Sequence, residues 1–208
     1  MIPLFVDLRA KHVVIFGGGE VAGRKAAYFA HEAEVVVFSR SFSKKITALP
    51  VNRMNIDVAE VSDKELQDIV KSADICIAAL SDRVQNNRIG RICKRRKILF
   101  NNADGEPGDL IIPSVINGKH YQIAVSTGGK SPAVSRFIRE HLETRFSTMD
   151  AMITLQEHLR KRLKKMEPSQ IRRSEILKEV LEDHDVWDAL SRSHKEAEQL
   201  VSRRYLHE

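Results

Sequence analysis

Along the first half of the chain, short apolar runs alternate with segments whose apolar residues recur every three or four positions. Residues 12–16 and 34–38 read as strands flanking a helix over about 20–31. Ile75–Leu80 and Ile98–Asn101 are two further strand-like runs, with a basic helical pattern from Gln85 to Arg96 between them. Residues 62–72 open with Ser62 and, three positions on, Glu65, the spacing of a capping box. Strands alternating with helices predict a parallel sheet with right-handed crossovers, an α/β, Rossmann-like doubly wound fold.

The character changes after residue 104. Gly105–Asp109 reads as a loop, and Leu110-Ile111-Ile112-Pro113 leads into Ser114-Val115-Ile116. Asn117-Gly118 then separates this run from Tyr121–Ser126, a hairpin signal. Ser131-Pro132 starts a helix that runs to about Phe146. From about 148 the pattern is helical and charged. Met152, Leu155, Leu159 and Leu163 have core spacing, as do Ile176, Leu177, Val180 and Leu181, and later Trp187 and Leu190. Met166–Ser169 breaks the first of these helices. The boundaries predicted are 1–110, 111–147 and 148–208.

Composition narrows the class. With 42% hydrophobic and 30% charged residues, the chain is that of a globular protein. No run approaches the roughly 18 apolar residues of a membrane span, and the N-terminus lacks a signal-peptide form, so a cytoplasmic location with no membrane partner is expected. Cys76 and Cys93 have no C-x-x-C partner and read as buried, reduced thiols. The net charge of +6 suits an anionic partner. Its basic residues are interleaved with acids and aromatics are only 6%, so a polycarboxylate small molecule explains the charge as well as nucleic acid does, and no nucleic-acid partner is expected.

The candidate chemistry begins at Gly17-Gly18-Gly19-Glu20-Val21-Ala22, where the first strand meets the first helix. Gly17, Gly19 and Ala22 occupy the G-x-G-x-x-G/A positions of a dinucleotide site. Gly17 would permit the turn, Gly19 the approach of a pyrophosphate, and Ala22 the close packing of helix on strand. Arg24 and Lys25, one turn on, either steady phosphate or form a solvated face. The second strand ends in Ser39-Arg40-Ser41, with no acid for the ribose hydroxyls. Ser39 and Ser41 suit a ribose and Arg40 a 2′-phosphate, so NAD and NADP both stay open. Asp104 follows the last apolar strand and reads either as a general base or metal holder, or as a loop Asx cap. Ser126-Thr127-Gly128-Gly129-Lys130-Ser131 is a second Gly-rich turn before a helix, either a carboxylate cradle or a structural turn. The eight histidines (His12, His31, His120, His141, His158, His184, His194 and His207) show no ligand spacing, and no metal site is expected.

Taken together these blocks resemble the precorrin-2 dehydrogenase family of sirohaem synthesis. The resemblance is carried by Pro3-Leu4-Phe5 with Leu8-Arg9, by Gly17–Lys25, by Asn101-Asn102-Ala103-Asp104, and by Ile112-Pro113-Ser114 leading to Ala124–Pro132. Ala78–Asp82 with Asn86-Asn87 fits the strand and helix between. It covers residues 1–146 well, and the rest only by length and helical character. It implies NAD-dependent oxidation of precorrin-2 to sirohydrochlorin, in some relatives followed by insertion of ferrous iron as a second substrate. Asp104 matches the family's active-site aspartate. Gly17, Gly19, Glu20, Val21, Ala22, Ser39, Arg40, Ser41, Ala79 and Leu80 match its cofactor contacts. Thr127 falls where relatives carry a Ser or Thr in the tetrapyrrole pocket, which makes Ser126, Gly128, Lys130 and Ser131 of the same turn expected substrate contacts, with Arg136 either a further contact for the carboxylates or part of a solvated helix face. The family fold implies a Rossmann domain, a mixed α+β dimerisation region shared between two chains of a homodimer, and a helical C-terminal domain. The rival expectation is a non-catalytic NAD(H)-binding regulatory domain. The second Gly-rich block discriminates against it, because a sensor needs no second pocket.

Overall fold

Val13, Val14, Ile15 and Phe16 are all buried, and a strand with no polar face must be covered on both sides. This strand, β1 (His12–Phe16), is the centre of a parallel sheet. It pairs with β2 (Glu34–Ser39) on one side and β4 (Ile75–Ala78) on the other, with β3 (Asn52–Asn55) and β5 (Leu99–Asn102) outermost. The order is β3-β2-β1-β4-β5. In register, Val13 lies opposite Val35 and Ile75, and Val14 opposite Val36 and Cys76, so side chains of one face line up across strands.

On one face Val13, Ile15, Val37, Ile75 and Ile77 pack with Ala22, Ala26 and Phe29 of α1 (Glu20–Phe29) and Ile46 of α2 (Lys44–Thr47). On the other, Val14, Phe16, Cys76 and Phe100 pack with Leu66 of α3 (Asp63–Ile69) and Ile89, Ile92 and Cys93 of α4 (Arg83–Arg96). Each large apolar side chain so buried contributes about 1.5–3 kcal/mol relative to exposure. Both cysteines are buried and free, and burial pushes the Cys76 thiol well above its ordinary value.

The capping box forms: Ser62 Oγ accepts from Glu65 N at 3.3 Å, and Glu65 Oε2 accepts from Ser62 N at 2.8 Å. Two elements escaped the sequence pattern. The four residues of β3 are all exposed, so an edge strand without an apolar face left no periodic trace. One turn of helix, α2, was too short to register. Helix α1 also stops at Phe29, where the amides of Glu32 and Ala33 both turn back to the Phe29 carbonyl.

The structure, a computed structural model, describes residues 1–206 and divides into two compact units, Met1–Ile112 and the residues from Pro113 onward. In the second unit β6 (Ser114–Asn117) and β7 (Gln122–Val125) form the expected antiparallel hairpin, with residues 118–121 as its turn. Asp150 accepts the Lys119 and His120 amides at 2.9 and 2.8 Å and anchors that turn. Helix α5 (Pro132–Arg145) is capped by Ser131 and begins with its proline. Helices α6 (Met149–Met166), α7 (Gln170–Glu182), α8 (His184–Arg192) and α9 (His194–Val201) follow, then a π-helical turn over Ser202–Leu206. Met152, Leu155, Leu159 and Leu163 pack on Ile176, Val180, Val186, Leu190 and Val201. Leu181, expected in this core by spacing, is instead exposed beyond the Ile176 and Val180 face, and its carbonyl accepts from Trp187 Nε1 at 2.8 Å. No helix among the described residues is long and apolar enough to cross a membrane.

Asp183 fastens the end of the helical region. Its carboxylate caps α8 through the Asp185 amide (2.9 Å) and accepts from Arg204 Nη1 (2.6 Å) and the Tyr205 hydroxyl (2.8 Å). Partial burial raises its pKa, but the bonds from Tyr205 and Arg204 outweigh burial and hold the carboxyl below its ordinary value. A depressed folded pKa contributes stability that is present above the unfolded value of about 3.9 and is lost as pH falls below it. Asp183→Asn keeps a capping side chain but not the charge. Its thermal midpoint, followed by circular dichroism, is expected to lie below wild type at pH 7, with the gap narrowing as pH drops below about 4. An equal gap at both pH values would contradict this role.

Candidate functional site

The chain leaves β1 through three glycines that meet different constraints. Gly17 has φ +123°, a conformation that L side chains rarely adopt, and its amide donates to the Phe38 carbonyl at 2.9 Å. A Cβ there would collide with the Ala79 carbonyl, and one at Gly18 with the Ser41 carbonyl. The Gly18 carbonyl also accepts from the Ser43 amide at 2.8 Å. Three strand ends therefore meet backbone to backbone. At Gly19 an added Cβ would meet nothing within 4 Å. Gly19 caps α1 with no side chain, so the free N–H groups of the first turn face open space. Ala22 is fully buried beneath the turn. Sequence spacing assigned roles to Gly17, Gly19 and Ala22, and the structure adds Gly18 as the most crowded position.

This turn opens on a cleft of about 880 Å³ at the carboxyl ends of the strands, where the sheet order reverses between β1 and β4. Gly17, Gly19, Glu20, Val21, Ser39, Arg40, Ser41, Ala79, Leu80 and Asp104 all border it. The sequence showed no acid at the end of β2. The fold supplies one from the end of β3: Asp57 borders the same cleft and accepts from Arg40 Nη1 at 3.4 Å. Because β3 has no apolar signature, nothing in the sequence pointed to Asp57. An uncapped helix N-terminus, an unfilled space at Gly19, and hydroxyl and carboxylate groups at the far end together fit a dinucleotide.

Asp104 lies at the rim, its carboxylate 65% exposed and its Oδ1 3.3 Å from Arg83 Nη2. Its loop is tied down by Asn86, which is fully buried on α4. Asn86 Nδ2 donates to the carbonyls of Leu80 (3.0 Å) and Asp104 (3.1 Å), and its Oδ1 accepts from the Leu80 amide (3.0 Å). Asn87 Oδ1 similarly accepts from Asn102 Nδ2 and the Glu106 amide. Lys25 fits neither of its two readings: it turns inward and donates to Asn101 Oδ1 at 2.7 Å. Burial, with the nearby Arg24 charge, lowers its pKa.

The remaining predicted residues lie in the second unit. Thr127 Oγ1 accepts from the Ser131 amide and donates to the Ser131 carbonyl, both at 3.0 Å, and also contacts Ser135 Oγ at 3.2 Å. Ser126 Oγ accepts from the Gly128 amide at 3.1 Å. Gly128, Gly129 and Lys130 form the exposed side of the turn. Arg136 pairs with Glu140 at 2.7 Å along an exposed helix face. The histidines scattered in the sequence are not all apart, since His158 and His194 meet beside Glu198. His207 lies outside the described residues.

Comparison with known proteins agrees with this geometry. Residues 4–114 match a family model described as "Putative NAD(P)-binding", and residues 122–145 match one for the central region of sirohaem biosynthesis proteins. The chain is 38% identical to a precorrin-2 dehydrogenase of Methanosarcina barkeri, over 94% of this chain and 89% of that one. A siroheme synthase of Nitrosospira multiformis is 33% identical over 69% of this chain but only 31% of its own length. Among solved structures, SirC, a precorrin-2 dehydrogenase, superposes with a TM-score of 0.72 over 98% of this chain and 100% of that one at 22% identity, a likeness of fold.

The crowding at Gly18 makes a direct test of the cleft. In Gly18→Ala the new methyl meets backbone on the Ser41 side, so the β2 end must move away from the glycine turn. Dinucleotide affinity, measured by calorimetry, is expected to fall at least roughly tenfold, about 1.4 kcal/mol. The far-ultraviolet spectrum is expected to stay unchanged. Unaltered affinity would show that the turn is not the binding element.

Proposed function

Because the chain belongs to the precorrin-2 dehydrogenase family, we propose that it oxidises precorrin-2 to sirohydrochlorin on the way to sirohaem, with NAD as the hydride acceptor. The single observation that carries the reading is that the cleft built on the glycine turn also holds an open carboxylate, Asp104, at its rim. A bound nicotinamide supplies the two-electron acceptor.

The oxidation removes one hydride and one proton from the substrate. The first turn of α1 holds the pyrophosphate through its free amides. Asp104 takes the proton, and Arg83 at 3.3 Å provides its counter-charge. On the second unit, the exposed Lys130 supplies a cation suited to a carboxylate. The positive net charge favours the approach of a polyanion.

Asp57 supports NAD over NADP. Its carboxylate neutralises Arg40, so a 2′-phosphate would have to break that pair and face a like charge, whereas a ribose hydroxyl can donate to it. A homodimer is part of the proposal. Helix α5 leaves Val134 and Phe137 exposed one turn apart, an apolar pair that a second chain would cover.

Anaerobic incubation of the protein with precorrin-2 and either NAD or NADP tests the reading through the appearance of the reduced nicotinamide. NAD is expected to give the higher kcat/KM. Asp104→Asn is expected to lower kcat by roughly 10²–10⁴-fold with dinucleotide affinity kept. An unimpaired Asp104→Asn enzyme would remove the proposed base. Ferrous iron added afterwards reads, from the absorption spectrum, whether the product is also metallated. Light scattering is expected to give twice the chain mass.

A further inference from the structure

Helices α6 and α9 bring together two imidazoles and a carboxylate that the dehydrogenase reading does not use. His194 and Glu198 are one turn apart on α9 and so project from the same face. His158 reaches them from α6, beside the buried Leu155 and Leu159 that pack against the same helical core as Ala197 and Val201 of α9. His158 Nδ1 lies 3.3 Å and His194 Nδ1 3.5 Å from Glu198 Oε1. One ligand atom from each of the three side chains lies within 4.8 Å of the other two.

The His158–Glu198 contact is a long hydrogen bond, and both separations exceed the usual range of about 2.7–3.2 Å. They match the edges of a tetrahedron with bonds of about 2.1 Å from metal to nitrogen or oxygen, which are roughly 3.4 Å. The imidazole of His194 also has its Nε2 buried with no hydrogen-bond partner. With that edge of the ring enclosed by protein, Nδ1 is the nitrogen turned toward Glu198. We propose that His158, His194 and Glu198 bind a divalent first-row transition-metal ion, which clamps α6 to α9. Two imidazoles and one carboxylate are a borderline donor set, suited to Zn²⁺, Co²⁺ or Fe²⁺ rather than Mg²⁺ or Ca²⁺. Three protein ligands leave a fourth position open. Glu198 also borders a shallow cleft carrying Lys195 and Arg203, a setting that favours an anion or hydroxide as the fourth ligand.

The test is metal titration of the full chain after chelator treatment, and it does not depend on enzymatic turnover. Co²⁺ is expected to bind at one equivalent per chain with visible d–d bands, Zn²⁺ to displace it, and Zn²⁺ to raise the thermal midpoint. His194→Ala and Glu198→Gln are each expected to weaken Zn²⁺ by at least the roughly 10–100-fold known for loss of a ligand's supporting hydrogen bond. His184→Ala, at an exposed histidine outside the cluster, is expected to have no effect. Circular dichroism of the metal-free variants separates loss of the ligand from loss of the fold, and the near-isosteric Glu198→Gln keeps the test open if His194→Ala does not fold. The proposal is overturned if no stoichiometric binding is found, if Mg²⁺ competes equally, or if folded Glu198→Gln binds Zn²⁺ as tightly as wild type.

Discussion

Everything in the N-terminal unit depends on how closely three strand ends approach one another at Gly17 and Gly18. The Gly17 amide reaches Phe38 on β2, and its α-carbon faces Ala79 beyond β4 without room for a methyl. One residue later the Gly18 carbonyl takes the Ser43 amide. Side chains are excluded here because backbone already occupies the space. The same closeness sets where α1 begins, and an N-terminus with no capping side chain keeps its amides for a ligand. The glycine end of the cleft is therefore a by-product of packing, fixed by the backbone alone.

The sheet beneath holds this junction steady. Alternate residues of β1 and β4 enter two separate hydrophobic clusters, so a slip of one residue in pairing would exchange both clusters at once. Phe16 and Phe38, stacked at 5.6 Å on neighbouring strands, carry that order to the last residues before the turn. The helical region is built differently. Its core is one stripe on α6 met by short helices, and polar fasteners such as Asp183 and Asp150 finish what the apolar contacts begin.

What could be read in the sequence follows the same physics. Strands buried on both faces were legible because they are unbroken apolar runs, and the capping box because it is strictly local. Strand β3 was not, since an exposed edge strand such as Asn52–Asn55 owes its pairing to β2 and to nothing in its own pattern. Asp57 was lost with it. The glycine turn and Asp104 were legible from spacing and resemblance. The inward turn of Lys25, and the meeting of His158 with His194, depend on which faces the helices present after packing. Leu181 erred in the other direction: its spacing was right for a stripe that the core ended one turn earlier.

Asn86 gives the cleft a property that no single distance describes. One buried amide holds both the floor, at Leu80, and the loop that carries the carboxylate, at Asp104. The floor of the cleft and the carboxylate at its rim consequently share one tolerance, and a displacement of α4 moves both together instead of opening a gap between them. Loss of that one side chain would release the floor and the rim at once, since the same amide bonds both.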